Sequence, residues 1–362
     1  MIIYSLVFCG IALGTFTDLD NKQRKYNCWI ILCCVFFAFY GLRSRVGSDW
    51  PIYENYYKSI VNDLTEVKRL NFEKGYYLIN VLFNALYLPF QAIPFTISLI
   101  VCFFYNKAVK QINANRCLTL LVALYYLFFP TLEALRQAIP LFLFFYVLCT
   151  LCTERETTSK EKSLLNKIKQ SLKFFSSAVF GGLFHYTALF VETIFYFFSR
   201  NICFKIVICA VFFSYKFLRN PLEELLRVYL PSVHNKYMIY TYMQAENIAN
   251  DTFFSLKFVE YLILFFVLFF LKNRSKQEEM ALNLIEFGMI MQISLIGSMS
   301  AVYRLLYYTD MGFILFFDAI DKRFEKVGAR FLLRIITILF IGLHFYRSFP
   351  FNNELFKYHW IY

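Results

Sequence analysis

The chain has 362 residues, of which 59% are hydrophobic and only 17% are charged. Globular domains carry about 25% charged residues, so this composition excludes an ordinary soluble enzyme. The formal net charge is +12, but the basic residues fall in short clusters between apolar runs, which is typical of cytoplasmic loops rather than of a nucleic-acid-binding face. We therefore expect an all-α polytopic membrane protein that contacts the lipid bilayer and has no nucleic-acid partner.

Apolar runs separated by polar segments predict about twelve transmembrane helices, several of them shorter than the roughly 20 residues of an upright span. The first run, Met1 to Phe16, lacks a preceding basic segment, so we interpret it as a transmembrane helix rather than a cleaved signal. The predicted spans are 1–17, 26–42, 93–108, 117–130, 137–152, 173–186, 188–199, 202–218, 254–271, 281–300, 304–321 and 331–347.

Clusters of lysine and arginine fall on alternate connections between these spans. Because such residues concentrate in cytoplasmic loops, both termini are predicted on the outer side of the cytoplasmic membrane. The same orientation gives a single membrane domain with an outer loop at 43–92, a cytoplasmic loop at 153–172 and a second outer loop at 219–253. The clusters are Lys22/Arg24/Lys25, Lys107/Lys110/Arg116, Arg155/Lys160/Lys162/Lys167/Lys169, Arg200/Lys205, Lys272/Arg274/Lys276 and Lys322/Arg323/Lys326/Arg330.

One apolar segment, Gly75 to Phe90 (GYYLINVLFNALYLPF), does not fit this alternation. If it were a span, every basic cluster after it would move to the outer side. The segment is short, contains Asn80 and Asn84, and ends at Pro89. We interpret it as an interfacial or re-entrant helix on the outer side.

The first outer loop opens with an unusually polar segment, YGLRSRVGSDWPIYENYY. Arg43 and Arg45 could anchor a helix end by snorkelling, but they lie on the predicted outer side, against the charge bias, and Asp49 and Tyr53 follow them. A planar guanidinium suits bidentate phosphate binding. The cluster of Arg43 and Arg45 therefore suggests an anionic head group as the ligand, with Tyr53 close by.

Arg136 and Gln137, in TLEALRQAIP, begin a predicted span from the outer side. An arginine that enters a membrane is costly without a partner, and Glu133, one turn earlier, is a candidate. Glu73, in NFEKGYY, precedes the interfacial helix, where an acidic residue also favours the helix dipole. We expect Arg136 and Gln137 to bind substrate, and Glu73 is a candidate catalytic carboxylate.

Two later segments carry further candidates. His185 lies in the otherwise apolar stretch GGLFHYTALF, where it is either a packing residue or a proton acceptor, since histidine titrates near neutrality. Arg304 is another outer arginine in apolar surroundings, and Tyr308 and Asp310 follow it. We expect Arg304 and Tyr308 to contact substrate.

Several well-known signals are absent. No P-loop, H-E-x-x-H, G-x-S-x-G or D-x-D-type motif occurs, so nucleotide-driven chemistry is not expected. The ten cysteines lie in or beside apolar spans. Cys149 and Cys152, at helical spacing, are interpreted as packing residues rather than a metal or redox site. The sequence predicts no metal and no cofactor.

The motifs RSRVGSDWPIY, FEKGYYLI, LRQAIPLFL, LFHYTALF and YRLLYY, in this order, resemble those of the EpsG/Wzy-type family of exopolysaccharide and O-antigen polymerases. The family pattern usually has Thr where Ser48 stands, and 219–253 matches no family motif. The resemblance implies a GT-C-like helical membrane fold and a glycosyltransferase that joins undecaprenyl-pyrophosphate-linked oligosaccharide repeat units on the outer face. It implies that the arginines hold the pyrophosphate, with Arg43 and Arg45 at the rim of the outer site and Tyr53 facing sugar. It also adds a chain-length regulator protein as an expected partner.

The resemblance also implies a group that accepts the proton of the attacking hydroxyl. His185 ranks first because its ordinary pKa is closest to neutrality, Asp49 ranks second, and Glu73 is the third candidate. An O-antigen ligase, which uses the same donor, is an alternative because the loop 219–253 carries Arg227 and His234. A lipid-linked oligosaccharide flippase is an alternative of a different class. It would predict internal repeats and mid-membrane charges, whereas no repeat is found and the charges cluster toward one face.

Overall fold

The computed structural model describes residues 2–17, 41–47, 49–62, 72–153, 160–229, 256–295, 304–348 and 359–360. Helices make up almost all of this part of the chain, as the sequence predicts, and the two short strands pair with each other. Apart from its last two residues, the predicted span 26–42 lies outside the described residues.

The elements follow one another in a simple order. They are α1 (Ile2–Thr17), β1 (Arg43–Ser44), α2 (Trp50–Asn62), α3 (Lys74–Ala85), α4 (Ala92–Gln111), α5 (Arg116–Ala123), a π-helical turn (Leu124–Phe128), α6 (Phe129–Glu133), α7 (Leu135–Thr153), α8 (Lys160–Gly182), α9 (Tyr186–Arg200), α10 (Ile202–Tyr229), α11 (Leu256–Phe270), α12 (Lys276–Leu295), α13 (Leu306–Thr309), α14 (Met311–Arg323), α15 (Val327–Ser348) and β2 (His359–Trp360).

Three helices differ from the sequence-based expectation. Helix α8 begins at Lys160 instead of residue 173, and α10 continues to Tyr229, so parts of both predicted loops are helical. The polar segment Trp50–Asn62 is also a helix. The charged residues make these segments too polar to be predicted as transmembrane helices. Lysine, glutamate and leucine are nevertheless good helix formers, so the segments can still be helical.

Two described helices, Ala92–Gln111 and Leu135–Thr153, are long and apolar enough to cross a membrane. Three shorter apolar helices, Ser5–Phe16, Arg116–Phe128 and Ile202–Ser214, accompany them. Their length and composition agree with the hydrophobic composition of the whole chain.

The chain divides into two compact units, of which the first comprises Met1–Phe190 and Phe317–Tyr362. Its centre is α7, which packs between α4 and α8 and buries most of its side chains. Helix α5 packs against α1 and α15. Strands β1 and β2 pair antiparallel, with Arg43 opposite Trp360.

An ion-pair cluster joins helix ends that the charge pattern places on the cytoplasmic side. Arg334 is fully buried and donates to both carboxylate oxygens of Asp321, at 3.0 and 2.9 Å. It also donates to the carbonyl of Thr15 at 2.6 Å. Nearby, Asp318 accepts the backbone N–H of Asn115 at 2.8 Å. These contacts join α1, α5, α14 and α15 at one end.

Helices α2 and α3 pack against each other at the opposite predicted side. The Tyr57 hydroxyl donates to the carbonyl of Leu88, and Asn84 donates to the carbonyl of Tyr57 at 3.1 Å. With 12 residues, α3 is about 18 Å long, too short to cross a hydrocarbon core of about 30 Å. Since the predicted span 188–199 is equally short, the interfacial or re-entrant placement of α3 stays a prediction.

The second unit, Val191–Phe316, is built around α12, against which α10, α11 and α13 pack. Close packing at one point requires Gly288, because a Cβ there would lie 2.5 Å from the ring of Tyr261.

Candidate active site

The site in the first unit forms where α7 begins. Helix α6 ends at Glu133, and Ala134 adopts a non-helical conformation (φ −93°, ψ 65°) that separates the two helices. Arg136 and Gln137 therefore lie in the first turn of a 19-residue helix. The unpaired N–H groups and the dipole of such a helix start favour negative charge.

Glu73 is the ionic partner of Arg136. The Arg136 guanidinium donates to Glu73 Oε2, and the two side chains are 11% and 7% exposed. The other carboxylate oxygen, Oε1, accepts the backbone N–H of Tyr186 at 3.4 Å. Glu73 precedes α3, so its carboxylate connects the start of α3 with the starts of α7 and α9. Glu133, the partner considered from sequence, has a side chain outside the described residues.

Aromatic rings surround the Arg136 guanidinium. Its central carbon lies 4.0 Å from the ring centre of Phe72 and 5.9 Å from that of Tyr53. Tyr56 and Tyr76 pack against Phe72 in turn. Burial raises the pKa of Tyr56 to about 12, so its phenol stays neutral at physiological pH. The neutral rings contribute cation–π attraction and hold the charged group in one orientation.

His185 lies at the turn between α8 and α9, beside Gln137. Its Nδ1 atom is 2.7 Å from the Thr187 hydroxyl. The amide nitrogen of Gln137, a fully buried residue, donates to the same hydroxyl at 3.3 Å. The Gly75 N–H donates to the Leu183 carbonyl at 2.7 Å and holds α3 against this turn. The structure thus brings Glu73, Arg136, Gln137 and His185 together.

The first polar segment borders this cluster, but two of its candidates are buried. Arg43 is fully buried rather than exposed on a rim, and it donates to the Leu132 carbonyl at 3.4 Å. Tyr53 is buried beneath Arg136, and its hydroxyl donates to Asp49 Oδ2 at 3.4 Å. Asp49 is half-buried and Arg45 is exposed, with left-handed backbone (φ 52°).

Arg304 and Tyr308 belong to the second unit. Arg304 is half-buried just before α13, whereas Tyr308 is fully buried. On the same segment, Asp310 accepts from Lys257 at 2.7 Å and from the Tyr261 hydroxyl at 2.6 Å.

Sequence reasoning missed Phe72, Thr187 and the Lys257–Asp310 pair. Phe72 and Thr187 lie inside the motifs FEKGYYLI and LFHYTALF, but an apolar ring and a hydroxyl carry no charge signal. Lys257 gave a usable signal, because it is a lysine at a predicted outer helix end, against the positive-inside bias.

The cluster in the first unit can bind a polar, anionic ligand. Among the described residues, the Nε atom of Arg136 and the Oε1 atom of Gln137 are buried without a hydrogen-bond partner. Buried polar groups are normally satisfied, so a donor and an acceptor here fit a ligand that offers both. Phosphate oxygens and sugar hydroxyls have this chemistry.

Comparison with known proteins identifies a family. The sequence model of the EpsG family matches residues 26–360 of this chain. No curated protein and no solved structure matches it. The family match covers every residue of the cluster around Arg136.

Proposed function

This chain belongs to the EpsG family, and we propose that it is a glycosyltransferase that polymerises undecaprenyl-pyrophosphate-linked oligosaccharide repeat units on the outer face of the cytoplasmic membrane. The observation that carries the proposal is the buried Glu73–Arg136 pair beside Gln137 and His185, at a helix start that favours an anion. Around this cluster we propose a GT-C-like fold of about twelve spans, as the resemblance and the lengths of apolar runs imply.

In the proposed reaction, a hydroxyl oxygen of one repeat unit attacks the anomeric carbon of the sugar attached to pyrophosphate. The new C–O bond forms as the bond to the phosphate oxygen breaks. The pyrophosphate leaves with the bonding electrons, and the hydroxyl proton passes to a group of the protein. The main task of the enzyme is to stabilise the departing negative charge.

Arg136 is suited to this task because aromatic rings and Glu73 fix its planar guanidinium, with Nε still available. Gln137 offers an acceptor for a sugar hydroxyl. We assign Arg45 an outer role in attracting the anionic head group, and Arg43 and Tyr53, both buried, a supporting role. Arg304 and Tyr308 would act within the second unit.

The contacts of the first unit support the proposed topology, because they join segments that are separated by an even number of predicted spans. Glu73 contacts both Arg136 and Tyr186, and the charge pattern assigns all three to the outer side. If Gly75–Phe90 were a span, Glu73 and Arg136 would lie on opposite sides of the membrane. Likewise, the pairing of Arg43 with Trp360 requires the C-terminus to share a side with the first loop.

The test uses the full-length protein in lipid nanodiscs with synthetic lipid-linked repeat units. We expect the wild type to produce a ladder of glycans and Arg136→Ala to produce none at equal protein level. Lys58→Ala, which removes an exposed cation of α2, serves as the matched control and should retain the ladder. Deletion of the gene should leave surface glycan with one repeat.

Two other outcomes would contradict the proposal. Transfer of a single repeat unit to a different acceptor, without a ladder, would identify a ligase. Movement of the lipid-linked unit across the bilayer without a new glycosidic bond would identify a flippase. A chain-length regulator, if it is a partner, should change the length of the ladder and not its formation.

A further inference from the structure

We propose that His185 acts as a hydrogen-bond donor through Nε2, that Thr187 is the positioning residue that holds it in this form, and that Asp49 accepts the proton of the attacking hydroxyl. The roles in catalysis rest on the proposed glycosyl transfer, whereas the form of the imidazole rests on local geometry alone. The proposal reverses the order given by ordinary pKa values, in which His185 is the first candidate for the base.

The argument begins with the groups that face Nδ1 of His185. The backbone N–H of Thr187 points at Nδ1 at 3.4 Å, and the Thr187 hydroxyl lies 2.7 Å away. A backbone N–H can only donate, and its direction is fixed by the chain. If Nδ1 carried a proton, two N–H groups would point at each other, so Nδ1 must present its lone pair.

Gln137 bears on the direction of the hydrogen bond between the Thr187 hydroxyl and Nδ1 of His185. Its amide nitrogen donates to Thr187 Oγ1 at 3.3 Å, so the hydroxyl proton is available for Nδ1. The same amide nitrogen lies 3.4 and 3.5 Å from the two ring nitrogens of His185. Because the two distances are nearly equal, this contact does not distinguish the two ring nitrogens. The backbone N–H of Thr187 donates to Nδ1, and the Thr187 hydroxyl is placed to do the same.

A neutral imidazole has one lone pair and one N–H. Since Thr187 occupies the lone pair at Nδ1, the proton of neutral His185 is on Nε2. This nitrogen can donate a hydrogen bond but cannot accept a proton. A fixed neutral donor of this kind stabilises the oxygen of the departing pyrophosphate as negative charge develops on it.

The proton of the attacking hydroxyl then needs another acceptor. Both oxygens of Glu73 are engaged, by Arg136 and by the Tyr186 N–H. Protonating Glu73 would leave the buried Arg136 charge without its counter-ion, so we assign the proton to Asp49, which is half-buried and accepts a hydrogen bond from the Tyr53 hydroxyl at 3.4 Å. The hydroxyl proton passes to Asp49, the new glycosidic bond forms, and the pyrophosphate leaves with the electron pair; His185 gains and loses no proton.

The form of the imidazole can be measured without any activity. The chain has 4 histidines, so 15N-labelled histidine in the full-length protein gives few signals, and His185→Gln identifies those of His185. We expect Nε2 to be protonated and Nδ1 to be an acceptor, and Thr187→Ser to preserve both signals. A protonated Nδ1 in the wild-type protein would overturn the proposal.

Kinetics separate a donor from a base. Glutamine can place an amide N–H near the position of Nε2 but cannot act as a base, so His185→Gln should retain turnover within about tenfold, the scale of a hydrogen bond that is replaced rather than lost. His185→Leu should lose about 100- to 1,000-fold, as when an oxyanion donor is removed. Equal, complete loss in both variants would assign His185 as the base.

The variants of Thr187 and Asp49 complete the set. Thr187→Val should lower kcat about three- to tenfold with KM unchanged, because one hydrogen bond to Nδ1 is lost, and Thr187→Ser should restore it. Asp49→Asn should lower kcat at least about 100-fold; normal turnover would contradict its role as base. If the wild type made no glycosidic bond while the 15N signals were as expected, the proposed function would fail and the assigned form of His185 would stand.

Discussion

At the scale of single residues, the site is defined by a charge that the protein has buried. Arg136 lies among the rings of Phe72 and Tyr53 and is neutralised by Glu73. Removing one partner of a buried pair leaves an uncompensated charge, whereas an exposed pair contributes little. The Lys58–Glu54 pair of α2, with side chains 63% and 21% exposed, provides the exposed comparison within the same chain.

The first prediction compares these two pairs. Glu73→Gln should lower the free energy of unfolding by about 3–5 kcal/mol, because the Arg136 charge is left without its counter-ion. Glu54→Gln should change it by no more than about 1 kcal/mol. Denaturant unfolding of the purified protein in detergent measures both, and equal losses would show that the Glu73–Arg136 pair is not buried as described.

The second prediction concerns the shape of the cation. Arg136→Lys keeps the charge but loses the planar fork and the stacking on Phe72, so turnover should fall about 10- to 100-fold, the range for a lost hydrogen bond to a charged group. Arg200, an exposed arginine whose guanidinium lies 5.1 Å from the Tyr196 ring centre, is the control, and Arg200→Lys should turn over normally. A full ladder of glycans from Arg136→Lys would indicate a simple anchoring charge.

At the scale of elements, the site depends on how closely α3 approaches the turn between α8 and α9. A Cβ on Gly75 would lie 2.7 Å from the carbonyl oxygen of Leu183, which is backbone and cannot move aside cheaply. The hydrogen bond from the Gly75 N–H to the same oxygen sets the distance between Glu73 and the start of α9. Gly328, in α15, has no heavy atom within 4 Å of its ideal Cβ.

The third prediction follows from that contrast. Gly75→Ala should separate α3 from the turn, weaken the contact between Glu73 and the Tyr186 N–H, and reduce turnover at least about tenfold, because reacting groups must keep their geometry. Gly328→Ala should leave turnover unchanged and stabilise the protein by about 0.5–1 kcal/mol, since alanine is the better helix former. Turnover and thermal unfolding of the two variants measure the difference; unchanged activity of Gly75→Ala would contradict the close approach.

At the scale of the whole molecule, the membrane orientation is the property that decides whether the site faces the outer side. Two of the polar clusters in the first unit lie around Glu73 and Arg136 and around Asp321 and Arg334. The charge pattern predicts that the first cluster lies on the outer side and the second on the cytoplasmic side.

The fourth prediction tests this orientation by cysteine labelling in a cysteine-less background. Cysteines at Asn62 and Tyr362 should react with a membrane-impermeant reagent in intact cells, because the first outer loop and the C-terminal strand share a side. A cysteine at Asn235 should also react, and one at Ser159 should react only after the cells are opened. Asn235, Ser159 and Tyr362 lie outside the described residues. Labelling at Ser159 in intact cells would move the site to the cytoplasmic side.

Much of the site was predictable residue by residue. The charge of Arg136 at the start of an apolar run indicated a role, because an ion that enters a membrane helix is costly. The motifs indicated Glu73, Gln137 and His185. The sequence could not predict that Arg43 and Tyr53 are buried. Exposure depends on which elements cover a side chain, and here the covering groups are distant in sequence.

By itself, the sequence determined that the protein is helical and that it is a membrane protein of the EpsG family. It also determined that clusters of lysine and arginine fall on alternate connections between the apolar runs. These properties depend on composition, local periodicity and ordered motifs. Only the tertiary structure decided that Glu73, 63 residues away, is the partner of Arg136, and that Thr187 faces Nδ1 of His185. Such pairings depend on how helices pack in space, and hydrogen bonds have directions that spacing along the chain does not specify.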